Sequence, residues 1–226
     1  MTEGGFTGLA GAMNWLEKLE LGDAEQIAVQ YTPKRLRAKL ATLFALDRRL
    51  GQLIAQTSEP ALGQMRLAWW RDVLGQDPAS RPTGDIVLDA IGAHWVGAES
   101  QLSKLVDGWE YMLSDPPLSE LAARNFINGR VRAIRAGTDG DTAVEAAARR
   151  WACADATAHT SQEDERALFV RIGLEESDLR PHFSQPHRGM AVLNALSLRA
   201  LKRGGRPLME GRGAALTAIR AGIIRK

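Results

Sequence analysis

The chain has one cysteine, Cys153, so no disulfide can form within it. It has no run approaching the 18 or so apolar residues that a membrane-crossing helix needs. The first twenty residues, MTEGGFTGLAGAMNWLEKLE, carry an acid at position 3 and no base ahead of their apolar run, unlike a secretory leader or an Arg-rich transit peptide. No stretch alternates apolar and polar residues as a half-buried strand does. Without strands there is no strand-to-helix glycine loop to cradle a phosphate, and no nucleophile elbow is spelled anywhere. These absences leave a reducing compartment as the compatible setting: the cytoplasm, with the inner face of a membrane as the second expectation.

Acid is also missing where the chain ends. Residues 1–120 hold 11 basic and 16 acidic side chains, and residues 121–198 hold 10 of each. Residues 199–226 hold 8 bases against the single acid Glu210, so the whole positive excess of +2 lies in the tail. That tail has no aromatic residue on which a base could stack, which argues against nucleic acid as a partner.

What is present is helical period. In 33-PKRLRAKLATLFALDRRLGQLIAQT-57, Leu36, Leu40, Leu43, Phe44, Leu50, Leu53 and Ile54 fall on one stripe of an α-helix. Thr32 reads as its N-cap, with Pro33 in the first turn. A next helix is expected from Ser58, with Leu62, Met65, Trp69 and Val73 on its buried face, ending at Gly75-Gln76-Asp77-Pro78. Further helical patterns cover 8–21, 24–31, 84–97, 100–113, 118–136, 141–160, 163–172, 190–202 and 213–225, with Gly, Pro and Asp at the joints. The expectation is an all-α, single-domain array of about ten helices spanning 1–226. In its last helix, Leu216, Ile219, Ile223 and Ile224 form a stripe among Arg212, Arg220, Arg225 and Lys226, giving a basic amphipathic segment within 199–226.

The series 31-YTPKRLRAKLATLFALDRR-49, 58-SEPALGQMRLAWWRDVL-74, 105-LVDGWEYML-113 and 148-ARRWACADATAH-159 resembles the order of landmarks in the squalene/phytoene synthase family. The resemblance implies an isoprenoid-synthase-like helical fold around a central cavity. Members of the family join two prenyl diphosphates head to head, using Mg²⁺ held by aspartates on facing helices. Carboxylates that share a metal from one helix must sit three or four residues apart. After the lead-in Phe44-Ala45-Leu46-Asp47-Arg48, the family's acidic positions fall here on Gly51, Gln52 and Ala55, none of which is a carboxylate. Met112 stands where another acid is expected. Near 150–165 only Asp155 and His159 are spaced for one face.

Two further groupings read as structural. Asp85 and Asp89 spell D-x-x-x-D, but in the first turn of a helix, where the macrodipole favours acids. His182 and His187 flank a proline loop without a thiol beside them. Cys153 reads as a small buried residue.

The resemblance to a branch that includes assembly factors for respiratory complex I implies a protein with no catalytic residue and no resident metal or cofactor. Arg48, Arg66, Trp70 and Arg71 are then the candidates for contact with an isoprenoid or other lipid, Arg48 matching an arginine that faces diphosphate in the family. Trp69 is expected in the core and Trp70 at the cavity edge, since adjacent residues point about 100° apart on a helix. Respiratory complex subunits and a membrane surface are the implied partners. The alternative is a Mg-dependent prenyl diphosphate transferase of carotenoid or hopanoid synthesis.

Overall fold

A computed structural model describes residues 15–175 and 180–223. Ten α-helices make up the described chain: α1 (Asp23–Tyr31), α2 (Lys34–Ala55), α3 (Pro60–Gly75), α4 (Ile86–His94), α5 (Glu99–Glu110), α6 (Glu120–Thr138), α7 (Thr142–His159), α8 (Glu163–Leu174), α9 (Arg188–Lys202) and α10 (Arg212–Ile223). The fold is all-α, as the periodicity predicts, and the described residues contain no strand. Residues 8–14 of the expected 8–21 helix, and Ile224, Arg225 and Lys226 of the tail, lie outside the described residues; of 15–21, only 15–17 are helical.

Local chemistry fixes several helix starts. Asp85 accepts from the amides of Val87 and Leu88 and so caps α4, the structural role expected of that acid pair. Ser119 accepts from Ala122 N at α6, and Asp141 from Val144 N at α7. Each side chain satisfies an amide that the first turn leaves without a partner. Two expected starts move. Thr32 does not cap α2; its hydroxyl donates back to Ala28 O at 2.8 Å and closes α1, while Pro33 takes the cap position. The cap of α3 is Glu59 rather than Ser58, with Pro60 in the first turn.

The helices bury one continuous core. The α2 stripe Leu36, Leu40, Leu43, Phe44 and Leu50 is buried as expected. α7 runs between α6, α8 and α9; α9 in turn carries α1 and α10, while α5 lies between α3 and α6. Cys153 on α7 is fully buried, and burial pushes its thiol pKa up to about 12. No helix among the described residues is long and apolar enough to cross a membrane.

Of the face expected for α3, only Val73 is buried. Gly63, Leu67, Trp70, Val73 and Leu74 are buried, whereas Leu62, Met65 and Trp69 point to solvent. Trp69 is 46 % exposed and Trp70 only 4 %, with the two rings edge to face at 5.3 Å. The helix is apolar nearly all round, and the side that faces inward carries Gly63. A Cβ there would lie 2.7 Å from Leu113 Cδ2, so this is the side that can close against the segment following α5.

One crossing sets the interior. Where α5 meets α6, Gly108 faces Gly129, and a Cβ on Gly129 would stand 2.8 Å from Lys104 O and 2.9 Å from Gly108 Cα. Only two glycines allow backbones this close. The next residue in each helix is the one that matters below: Trp109 on α5 and Arg130 on α6.

Candidate functional site

The space between α1, α2, α5, α6 and α7 is filled by a group of charged and aromatic side chains. On α2, Asp47 stands three residues after Phe44 and three before Leu50, within the apolar stripe, and is buried. On α6, Arg130 stands among Phe126, Ile127 and Ile134 and is one of the largest fully buried side chains. Helix α7 adds Trp151 and Asp155, and α1 adds Glu25.

Arg130 organises the group. Its Nε donates to Asp47 Oδ1 at 2.9 Å and its Nη2 to Asp47 Oδ2 at 2.7 Å, the two-pronged pairing that suits a guanidinium to a carboxylate. Nη2 also donates to Asp155 Oδ2 at 2.7 Å, and Nη1 to Ala152 O at 3.3 Å. The guanidinium carbon lies 4.6 Å from the Phe126 ring centre, 4.8 Å from Trp151 and 4.9 Å from Trp109. Three aromatic rings thus surround a desolvated cation. Trp109 Nε1 donates to Asp47 Oδ1 at 2.8 Å, and Trp151 Nε1 donates to Glu25 Oε1 at 2.6 Å.

The charges follow from burial and proximity. Burial raises the Asp47 pKa, against the lowering pull of Arg130. Burial works to lower the Arg130 pKa, but the adjacent charges of Asp47 and Asp155 more than offset it, and the guanidinium stays charged. Among the described residues no cation is bonded to Glu25. Burial, and then the charge of Asp155, raise it from 4.5 to about 7.

A folded-state pKa above the unfolded one means the folded chain binds the proton more tightly. The resulting stability is fully present below about pH 4.5 and is lost as pH rises to about 7. Replacing Glu25 with Gln removes that dependence. Urea titrations should therefore find the stability difference between parent and Glu25→Gln moving by about 2 kcal/mol in the variant's favour from about pH 5 to about pH 8. A difference that stays constant with pH would mean that Glu25 is already ionised in the folded protein at about pH 5, as it is in the unfolded chain.

The residues singled out in the sequence do not meet at one place. Arg48 is exposed, one residue beyond Asp47, and its Nη1 lies 3.9 Å from where a Cβ on Gly22 would stand. Arg66 is exposed and reaches Thr57 Oγ1 at 3.4 Å. Arg71 pairs with Asp107 at 2.6 Å and with Glu110, tying α3 to α5. Trp70 is packed in the core. His159 is exposed and accompanies the backbone carbonyl of its neighbour Asp155 at 2.9 Å, while the Asp155 carboxylate turns inward to Arg130. His187 is buried against Thr138 O and Ser184, and His182 is exposed. A groove of about 520 Å³ lined by Asp141, Glu145, Arg149, Arg180 and His182 includes none of the four candidates.

The degenerate positions do not suit a divalent cation. Gly51 is covered by Trp109, whose Cη2 would be 2.9 Å from a Cβ there, and Gln52 and Ala55 are exposed. The two carboxylates that do face each other, Asp47 and Asp155, are already held by Arg130. The residues present do not fit magnesium at this place. Comparison with family models, with curated proteins and with solved structures finds no match to this chain.

Asp47, Arg130 and Glu25 are not among the candidates that the sequence points to. A signal was available for two of them: Asp47 and Arg130 are charges placed inside apolar helical stripes, where a solvated side chain does not belong.

Proposed function

We propose that this chain is a non-catalytic, squalene/phytoene synthase-like helical protein that acts by binding, assisting the assembly of respiratory complexes, with isoprenoids or other lipids as its ligand class. One observation carries the lack of catalysis. The carboxylates that α2 and α7 direct at one another are closed on the guanidinium of Arg130. Magnesium-assisted loss of diphosphate needs carboxylate oxygens free to take a metal. Here a permanent side-chain cation stands between them, bound in two-pronged fashion and ringed by aromatics, and removing it would leave buried charge without a partner. The assembly role rests on the resemblance of the 58–74 segment and on the absence of the first aspartate motif at Gly51, Gln52 and Ala55.

Two measurements test this reading. Purified chain incubated with farnesyl or geranylgeranyl diphosphate and magnesium should release no pyrophosphate where a working synthase does. Release would establish the prenyl diphosphate transferase instead. Affinity-tagged chain, isolated from its own cells with membranes solubilised, should bring respiratory subunits with it; their absence, with respiration intact after deletion of the gene, would remove the assembly role.

A further inference from the structure

Helix α10 is built the wrong way round for a helix whose only task is to cover a core. Its bundle face consists of Ala214, Ala218 and Gly222, all buried. The seat is tight: a Cβ on Gly222 would be 2.3 Å from Tyr31 Cε1. The large aliphatic residues face outward. Leu216 is 64 % exposed, Ile219 48 % and Ile223 63 %. At about 100° per residue these three lie within an arc of about 60° and span about 10 Å of the helix. Scattered exposed aliphatics are ordinary, but an aligned stripe on a fully docked helix calls for something to cover it.

The charges around the stripe say what that is. Arg212 lies in line with it, one turn ahead of Leu216, and Arg220 borders it one turn beyond Leu216; both are exposed. No acid occurs in residues 211–226. The one carboxylate nearby, Glu210, is taken by Arg203 at 3.2 Å and Arg206 at 3.7 Å. Arg212 and Arg220 have no ionic partner among the described residues. A second copy would bring arginine to arginine. The three side chains also present on the order of 300 Å² of apolar surface, well short of the roughly 800 Å² per partner of a stable protein interface. A lipid surface needs no such area from one helix. It accepts aliphatic side chains at the boundary of headgroup and acyl chain, and it places phosphates level with flanking arginines.

We propose that α10 is a membrane-docking surface that lies in the plane of an anionic bilayer, with Leu216, Ile219 and Ile223 inserted and Arg212 and Arg220 on lipid phosphates. The surface is independent of whether the interior is catalytic, so its test separates cleanly from the pyrophosphate assay. Full-length chain is sedimented with vesicles of phosphatidylcholine alone and of phosphatidylcholine with phosphatidylglycerol. Binding is expected to the anionic vesicles and to weaken with salt. The triple variant Leu216→Ser/Ile219→Ser/Ile223→Ser should lose at least about tenfold in partitioning. Arg212→Gln/Arg220→Gln should lose about tenfold on anionic vesicles only. All the substituted side chains are exposed, so helical circular dichroism and the thermal midpoint should match the parent and certify folding. Three results would overturn the proposal: no sedimentation with anionic vesicles, a triple variant that binds as the parent does, or a concentration-dependent dimer that the triple variant abolishes, which would make a second copy the occupant.

Discussion

Replacing Arg130 with methionine is expected to lower the thermal midpoint by about 10 °C. Methionine keeps the apolar stem of the side chain as far as the guanidinium but withdraws the cation, so Asp47 is left buried with only Trp109 Nε1 to bond it. Breaking a buried pair in this way costs about 3–5 kcal/mol. In a chain of this size each kcal/mol shifts the midpoint by about 2–4 °C. The variant Arg130→Met/Asp47→Asn should recover at least half of the loss. Its amide oxygen still accepts from Trp109 while the stranded charge is gone, and replacing a whole buried ion pair is far less costly than halving it. Calorimetry on the three proteins decides the matter. If Arg130→Met melts with the parent, the ion group is incidental and the argument against a metal loses its footing.

Gly129→Val should cost about 3 kcal/mol. The atoms that a side chain at this position would strike are Lys104 O and Gly108 Cα, both main chain, so nothing can swing aside and the two helices must part. The same crossing brings Trp109 and Arg130 together, and the damage should therefore reach the aromatic ring around the guanidinium as well as the helix seam. Gly92 on α4 provides the comparison, since a Cβ there meets nothing within 4 Å. Gly92→Ala should stabilise by about 0.5–1 kcal/mol through helix propensity alone. Denaturant titration should therefore give shifts of opposite sign; two small shifts of the same sign would show that the crossing tolerates a side chain.

The helices were legible in the sequence because a 3.6-residue repeat of apolar side chains survives whatever it packs against. The α2 stripe from Leu36 to Leu50 shows this. At α3 two apolar faces compete, Leu62-Met65-Trp69 and Leu67-Trp70-Leu74, with Val73 between them and buried. The buried face brings Gly63 against Leu113, a tertiary contact that no periodicity encodes. The ion group was harder still. Arg130 and Asp47 are 83 positions apart, and Glu25 and Trp151 are 126 apart, so their pairings come from topology. The resemblance points instead to Gly51, Gln52 and Ala55, one to two turns along the same helix from the buried carboxylate of Asp47.

Cys153 offers a way to time the opening of this bundle. Its sulfur lies on α7 behind Gly173 of α8, close enough that a Cβ on that glycine would stand 2.9 Å from Cys153 Cβ. A thiol so enclosed, and so reluctant to ionise, is reached by an alkylating reagent only when those two helices separate. With one such group in the chain, the rate of mass gain in excess reagent becomes a stopwatch for that separation, with no dye and no engineered label required.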